Sequence, residues 1–136
     1  MPSVGTSTVT CHCGKVTAEF RHDAESITAW DCNCSDCIMR RNVHFMVTDM
    51  TITSPNYEEE TILYLWGTKT AKRRFCKTCG VLPWYTPRSN PDGFGITLNC
   101  VKWGCIPAPK VTVKNFDGTE WKKSFAATNI ASETKK

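Results

Sequence analysis

The chain has 136 residues, 40% of them hydrophobic and 22% charged, with a formal charge of +4. That length suits one domain, able to bury roughly two-thirds of the surface its unfolded chain exposes. The composition is ordinary for a soluble protein, and no apolar run reaches the roughly 18 residues a membrane-spanning helix needs, so no membrane partner is expected.

The segment from Met1 to Thr6 has no basic stretch followed by an apolar one and does not read as a signal peptide. A cytoplasmic location is expected, with the nucleus as the alternative. In a reducing compartment clustered cysteines serve as metal ligands more often than as disulfides. The odd total of nine cysteines also counts against a disulfide framework.

The first cluster is Cys11-His12-Cys13. After it, Val16, Ala18 and Phe20 alternate with Thr17, Glu19 and Arg21, the pattern of a half-buried strand. Ile27 to Trp30 reads as a second strand, running directly into Cys32-Asn33-Cys34-Ser35-Asp36-Cys37. One helical turn is expected over Asp36 to Arg41. Val43, Phe45 and Val47 alternate with His44, Met46 and Thr48 as a third strand. Thr61 to Trp66 is a nearly continuous apolar run ended by Gly67 and reads as a buried strand.

The basic stretch Lys69, Lys72, Arg73 and Arg74 follows. It reads as a solvated strand face and not as a nucleic-acid patch, because thiolates and bound zinc would take most of the positive charge away. Arg73 to Phe75 and Leu82 to Tyr85 flank Cys76-Lys77-Thr78-Cys79-Gly80 as a hairpin. Gly80 stands where a tight metal knuckle needs a residue tolerant of positive φ. Phe94 to Val101 reads as a strand after the turn Asn90-Pro91-Asp92-Gly93. Pro107 and Pro109 predict an extended loop, and Asp117 or Thr119 would cap a short helix through Phe125. The tail Glu133 to Lys136 is polar and expected to fray. The whole is read as a mainly β chain with little helix, one domain over 1–136 with its core from about 8 to 125.

Seven of the nine cysteines thus fall in a CxC, a CxCxxC and a CxxC. A tetrahedral zinc needs four sulfurs, so seven divide into a complete site and an incomplete one. Cys11 and Cys13 with Cys76 and Cys79 would make a closed site, leaving Cys32, Cys34 and Cys37 as an open one. Spacing alone does not exclude the alternative in which Cys32 and Cys34 join the CxxC and Cys11 and Cys13 serve otherwise. The fourth ligand of a three-sulfur site could be water, a substrate thiol, Cys100, Cys105 or His44. Three thiolates soften the Lewis acidity of the metal and favour a further soft ligand, which points to sulfur chemistry before hydrolysis. Closure by a side chain would instead make the site structural.

Three segments in this order, Cys11-His12-Cys13-Gly14-Lys15-Val16, Asp31 to Cys37, and Phe75-Cys76-Lys77-Thr78-Cys79-Gly80, resemble the glutathione-dependent formaldehyde-activating enzyme and centromere protein V family. The resemblance runs from Thr8 to near Lys123. The segments Asn90 to Cys100 and Phe116 to Trp121 look more like the eukaryotic centromere-protein-V-like branch than the bacterial enzyme. The resemblance implies an Mss4-like fold of small antiparallel sheets around zinc sites, with two zincs per chain. It assigns a structural zinc to Cys11, Cys13, Cys76 and Cys79 and a second, more labile zinc to Cys32, Cys34 and Cys37. It also implies carbon–sulfur lyase chemistry on a glutathione-type or other small thiol adduct. The competing expectation is a non-catalytic zinc-scaffolded binding protein.

Asp36 and His44 are the nearest candidates in sequence for proton transfer. Asp36 also suits a turn cap after Ser35, and His44 should point to the face opposite its apolar neighbours. Arg40, Arg41 and Arg73 could meet substrate carboxylates. Among the tryptophans, Trp103 is expected to border a cleft.

Overall fold

A computed structural model describes residues 4–65, 72–87 and 92–116. In chain order these form β1 (Val4–Thr10), β2 (Thr17–Asp23), β3 (Ser26–Cys32), α1 (Ser35–Arg40), β4 (Val43–Val47), β5 (Met50–Ile52), α2 (Tyr57–Glu60), β6 (Thr61–Tyr64), β7 (Lys72–Cys76), β8 (Trp84–Thr86) and β9 (Phe94–Thr97). A 3-10 turn at Leu98–Cys100, β10 (Val101–Lys102) and β11 (Lys110–Phe116) complete them. The C-terminal helix expected from Asp117 onward, the tail, Trp66, Gly67 and Lys69 lie outside the described residues.

The strands make two sheets, one of four strands in the order β10-β1-β2-β5 and one of seven in the order β11-β3-β4-β9-β8-β7-β6. All pairings are antiparallel except β11 on β3, which runs parallel and sets Phe116 opposite Cys32. Between the sheets lies the main core. Val9, Ala18 and Phe20 from the smaller sheet meet Ile27, Ala29, Phe45, Val47, Trp84 and Ile96 from the larger. The alternation in β2 works as expected, with Ala18, Phe20 and His22 buried and Glu19 and Arg21 exposed.

Because side chains alternate, the other face of the seven-stranded sheet carries a second set. Register places Trp30 opposite His44, Tyr85 opposite Gly95, and Arg73 opposite Tyr85. Helix α1 connects β3 to β4 beside this second face. It ends where Arg41 adopts a left-handed conformation at φ 51° and donates its N–H to the Cys37 and Ile38 carbonyls.

Three expectations change. The run from Thr61 is an edge strand and not a buried one, with Ile62, Leu63 and Tyr64 between 41% and 49% exposed. An unbroken apolar run shows that a strand forms but not how many faces are covered. The segment Phe94 to Val101 is not one strand, since the 3-10 turn carries the chain from the larger sheet into the smaller. Arg73 is 3% exposed, so its part of the basic stretch is not solvated. The elements β1, β5, β11 and α2 have no counterpart among the segments predicted from sequence.

Candidate metal centres

Two knuckles build the first centre. After Cys11 the chain turns through His12 and Cys13 to Gly14, whose N–H donates to the Cys11 carbonyl at 3.2 Å. After Cys76 it turns through Cys79 to Gly80, whose N–H donates to the Cys76 carbonyl at 2.7 Å. Gly14 and Gly80 have φ of 85° and 76°, which L side chains rarely adopt. Both turns direct their sulfurs to one point, so that Cys11, Cys13, Cys76 and Cys79 all lie within 4.8 Å of one another. Cys13 is 3.6 Å from both Cys11 and Cys76. A tetrahedral zinc with sulfurs at about 2.3 Å separates them by about 3.8 Å, so this donor set fits that ion. His12 is exposed and takes no part.

One thiol of the set, Cys79, is brought down while Cys13 is pushed up to about 11. Burial, the largest single influence on the Cys79 thiol, pushes it up. The backbone N–H groups of Cys13 and Val81 and the neighbouring thiols of Cys76 and Cys11 outweigh it and bring Cys79 down to about 6. The thiolate, not the thiol, is the metal ligand.

Cys32, Cys34 and Cys37 form the second centre, again with all sulfurs within 4.8 Å. The parallel strand β11 covers it: Phe116 and Trp30 pack with the three cysteines in one buried cluster, their rings edge to face at 6.2 Å. The α1 turn aims two of the sulfurs, because the Cys37 N–H donates to the Cys34 sulfur at 3.4 Å. The Cys32 and Cys37 thiols, in that order of influence, hold Cys34 down at about 2. Cys34 thus holds a thiolate beside the protonated Cys32 and Cys37, and a cation bound by all three would displace those two protons.

The two groups of sulfurs do not mix. The CxxC joins the CxC, and the alternative in which Cys32 and Cys34 join the CxxC is excluded by position. No fourth Cys, His, Asp or Glu joins the second centre among the described residues. Cys100 is half-buried near the other centre, where burial and then Cys11 and Cys79 push its thiol up to about 11. Cys105 lies near Gly5 and His22 on the smaller sheet. His44 is engaged at both nitrogens, with Nδ1–H donating to the Asn42 carbonyl at 3.1 Å and Nε2 accepting from the Tyr85 hydroxyl at 3.0 Å.

Around the second centre Asp36 and Arg73 bring buried charged side chains together, with the partly exposed Arg40 beside them. Asp36 does not cap α1, since the Cys34 sulfur does so. Its carboxylate is shared, Oδ1 accepting from Arg40 Nε at 3.0 Å and Oδ2 pairing with Arg73. The Arg73 guanidinium lies over the Tyr85 ring at 4.5 Å. Gly95 makes room for that ring, because a Cβ there would stand 2.6 Å from Tyr85 Cε1. Arg40 stacks near Tyr64 and Phe75, at 5.7 and 5.8 Å. It also lines a surface cleft of ≈ 290 Å³ with Ser35, Asp36, Met39 and Tyr64. Arg41 is exposed.

Tyr85 and Phe116 are the site residues that sequence reasoning missed. The register of β8 on β7 and the parallel return of β11 place them, and neither leaves a spacing signal. Trp103 lies apart from this centre, half-buried against the main core, where it stacks on Phe45 at 6.0 Å and meets His22 edge-on. Among the described tryptophans, Trp30 is the one that walls the sulfur cluster.

Burial brings His44 down to about 4. The unfolded chain takes this proton below about 6.5 and the folded chain only below about 4, so stability falls as pH falls through that window. Between pH 7 and pH 5 this histidine alone is expected to remove about 2 kcal/mol. His44→Gln keeps an acceptor for Tyr85, and urea denaturation of that variant should show an acid loss smaller by the same amount. Equal losses in both proteins would remove His44 from the acid response.

Among known proteins, the family model described as glutathione-dependent formaldehyde-activating enzyme matches residues 6–116. A crystal structure of a Rhodobacter sphaeroides protein is 32% identical, with a TM-score of 0.61, covering 77% of this chain and 99% of that one. No helix among the described residues is long and apolar enough to cross a membrane. With the family model spanning both cysteine centres and most of both sheets, the chain belongs to the glutathione-dependent formaldehyde-activating enzyme family.

Proposed function

We propose that this protein is a zinc-dependent carbon–sulfur lyase acting on a small thiol adduct of the S-hydroxymethylglutathione type. One observation carries the reading: three converging sulfurs have no fourth protein ligand among the described residues, while four other sulfurs form a complete set. The first centre would hold a structural zinc, and Cys32, Cys34 and Cys37 a second. When bound there, zinc supplies a soft electrophile that stabilises a leaving thiolate.

In the cleavage direction the carbon–sulfur bond breaks and its electron pair stays on sulfur. The adduct hydroxyl loses its proton to water as the carbonyl forms. Trp30 and Phe116 exclude water from one side of the sulfurs, and Arg73 supplies positive charge nearby. Asp36, with both oxygens engaged by arginines, suits a positioning part better than that of proton acceptor. The cleft bearing Arg40 offers a guanidinium for a substrate carboxylate.

A second reading draws on burial. Cys32, Cys34 and Cys37 are only 8%, 9% and 2% exposed, which suits a closed structural site in a binding protein of the centromere protein V type. Metal analysis and thiol titration separate the two. The lyase reading expects two zincs per chain, a metal centre that responds to glutathione, and turnover of S-hydroxymethylglutathione or a related thiohemiacetal. Two zincs with neither thiol response nor turnover across such adducts would support the scaffold and overturn the lyase.

A further inference from the structure

Arg73 is an unusual residue for a strand next to the sheet edge. Arginine ordinarily keeps its charged head in water, yet this one, the second residue of β7, is 3% exposed. Taking a guanidinium out of water costs several kcal/mol unless other groups compensate. The compensation is incomplete within the network of Asp36, Arg40 and Arg73: one carboxylate serves two guanidiniums. Arg40 is partly exposed and can draw on solvent, but Arg73 cannot, and its buried Nη1 has no hydrogen-bond acceptor among the described residues. The remaining partners of Arg73 are the face of Tyr85, the Cys37 sulfur, to which its guanidinium donates a hydrogen bond, and the Cys34 sulfur, with which it interacts electrostatically. A three-thiolate centre around a dication carries one net negative charge, and the network beside it carries one net positive charge.

We infer that Arg73 is a positioning residue whose buried charge sets the affinity of the three-cysteine centre for an anionic fourth ligand, a thiolate. The inference rests on the reading above that this centre accepts a thiol. A thiolate entering here adds a second net negative charge in a place that water screens poorly, and Arg73 offsets it. Asp36 opposes Arg73: its carboxylate orients the guanidinium and also takes up part of its field. The two residues should therefore change thiolate affinity in opposite directions, which a purely structural ion pair would not do.

The test uses the full chain loaded with cobalt(II), whose sulfur-to-metal absorption reports ligands at the second centre, titrated with glutathione at fixed pH. Arg73→Met is expected to weaken glutathione at least about tenfold with metal content unchanged. Arg73→Lys, which keeps the charge, should stay within about threefold of the wild type. Asp36→Asn should bind glutathione more tightly than the wild type. Unchanged affinity in Arg73→Met, or weakening in Asp36→Asn, overturns the role of Arg73. Should Arg73→Met fail to fold, Asp36→Asn decides: tightening supports the role, and unchanged or weaker binding overturns it. A wild-type spectrum that does not respond to glutathione overturns the open centre itself, whereas a responding wild type with unaltered variants overturns only the part given to Arg73.

Discussion

Cys79→Ser is expected to leave the protein unfolded or insoluble and to release the zinc of the first centre. Cys79 is only half-buried, and replacing a half-exposed side chain of that size ordinarily changes stability by less than about 0.5 kcal/mol. The large effect expected here has a different origin. Cys11, Cys13, Cys76 and Cys79 tie the end of β1 to the hairpin between β7 and β8, joining the two sheets at one point. Structural zinc in such sites contributes on the order of 10 kcal/mol or more to folding, while a whole domain is stable by only about 5–15 kcal/mol. Losing the ion would remove most or all of the margin. Zinc content together with circular dichroism of the soluble fraction checks this. A folded Cys79→Ser protein with wild-type thermal stability would mean that the two sheets hold together through their apolar core alone.

Cys34→Ser should behave differently: one zinc lost, turnover of the thiol adduct abolished, and the fold retained. Cys34 belongs to the satellite cluster with Trp30 and Phe116, apart from the core between the sheets. The substitution puts a hydroxyl in place of a buried thiol, at a cost of about 1–3 kcal/mol. That is well below what the first centre contributes. A mild chelator should likewise remove the second metal first, because an open coordination position gives it a point of attack. The decisive comparison is the pair of variants side by side. If Cys34→Ser unfolds as completely as Cys79→Ser, the second centre is structural and the scaffold reading prevails.

The presence of sulfur groups that could hold metal is legible in the chain itself. CxC, CxCxxC and CxxC are local spacings, and local spacing limits how sulfurs can converge on one ion. Positive φ at Gly80 follows in the same way from the knuckle it closes. So do β2 and β4, whose alternation lies within a few residues, while β3 and the α1 turn fall where expected on either side of the second cysteine cluster. Burial is harder to read. The Thr61 run and Arg73 depart from expectation for the same reason: hydropathy describes a residue, whereas burial depends on which strands arrive on either side.

Seven clustered sulfurs, enough for one complete set and one incomplete set, and a mainly β fold can be read from residue order alone. Which clusters meet cannot. Folding joins the CxC to the CxxC across 63 positions of chain, and it leaves Cys100, Cys105 and His44 elsewhere or already engaged. Folding also places Arg73, Tyr85 and Phe116 around the remaining three cysteines. Ligand spacing is a property of neighbouring residues, fixed by covalent geometry. The surroundings of a metal centre are set by strand register and sheet order, which arise from packing between segments far apart in the chain.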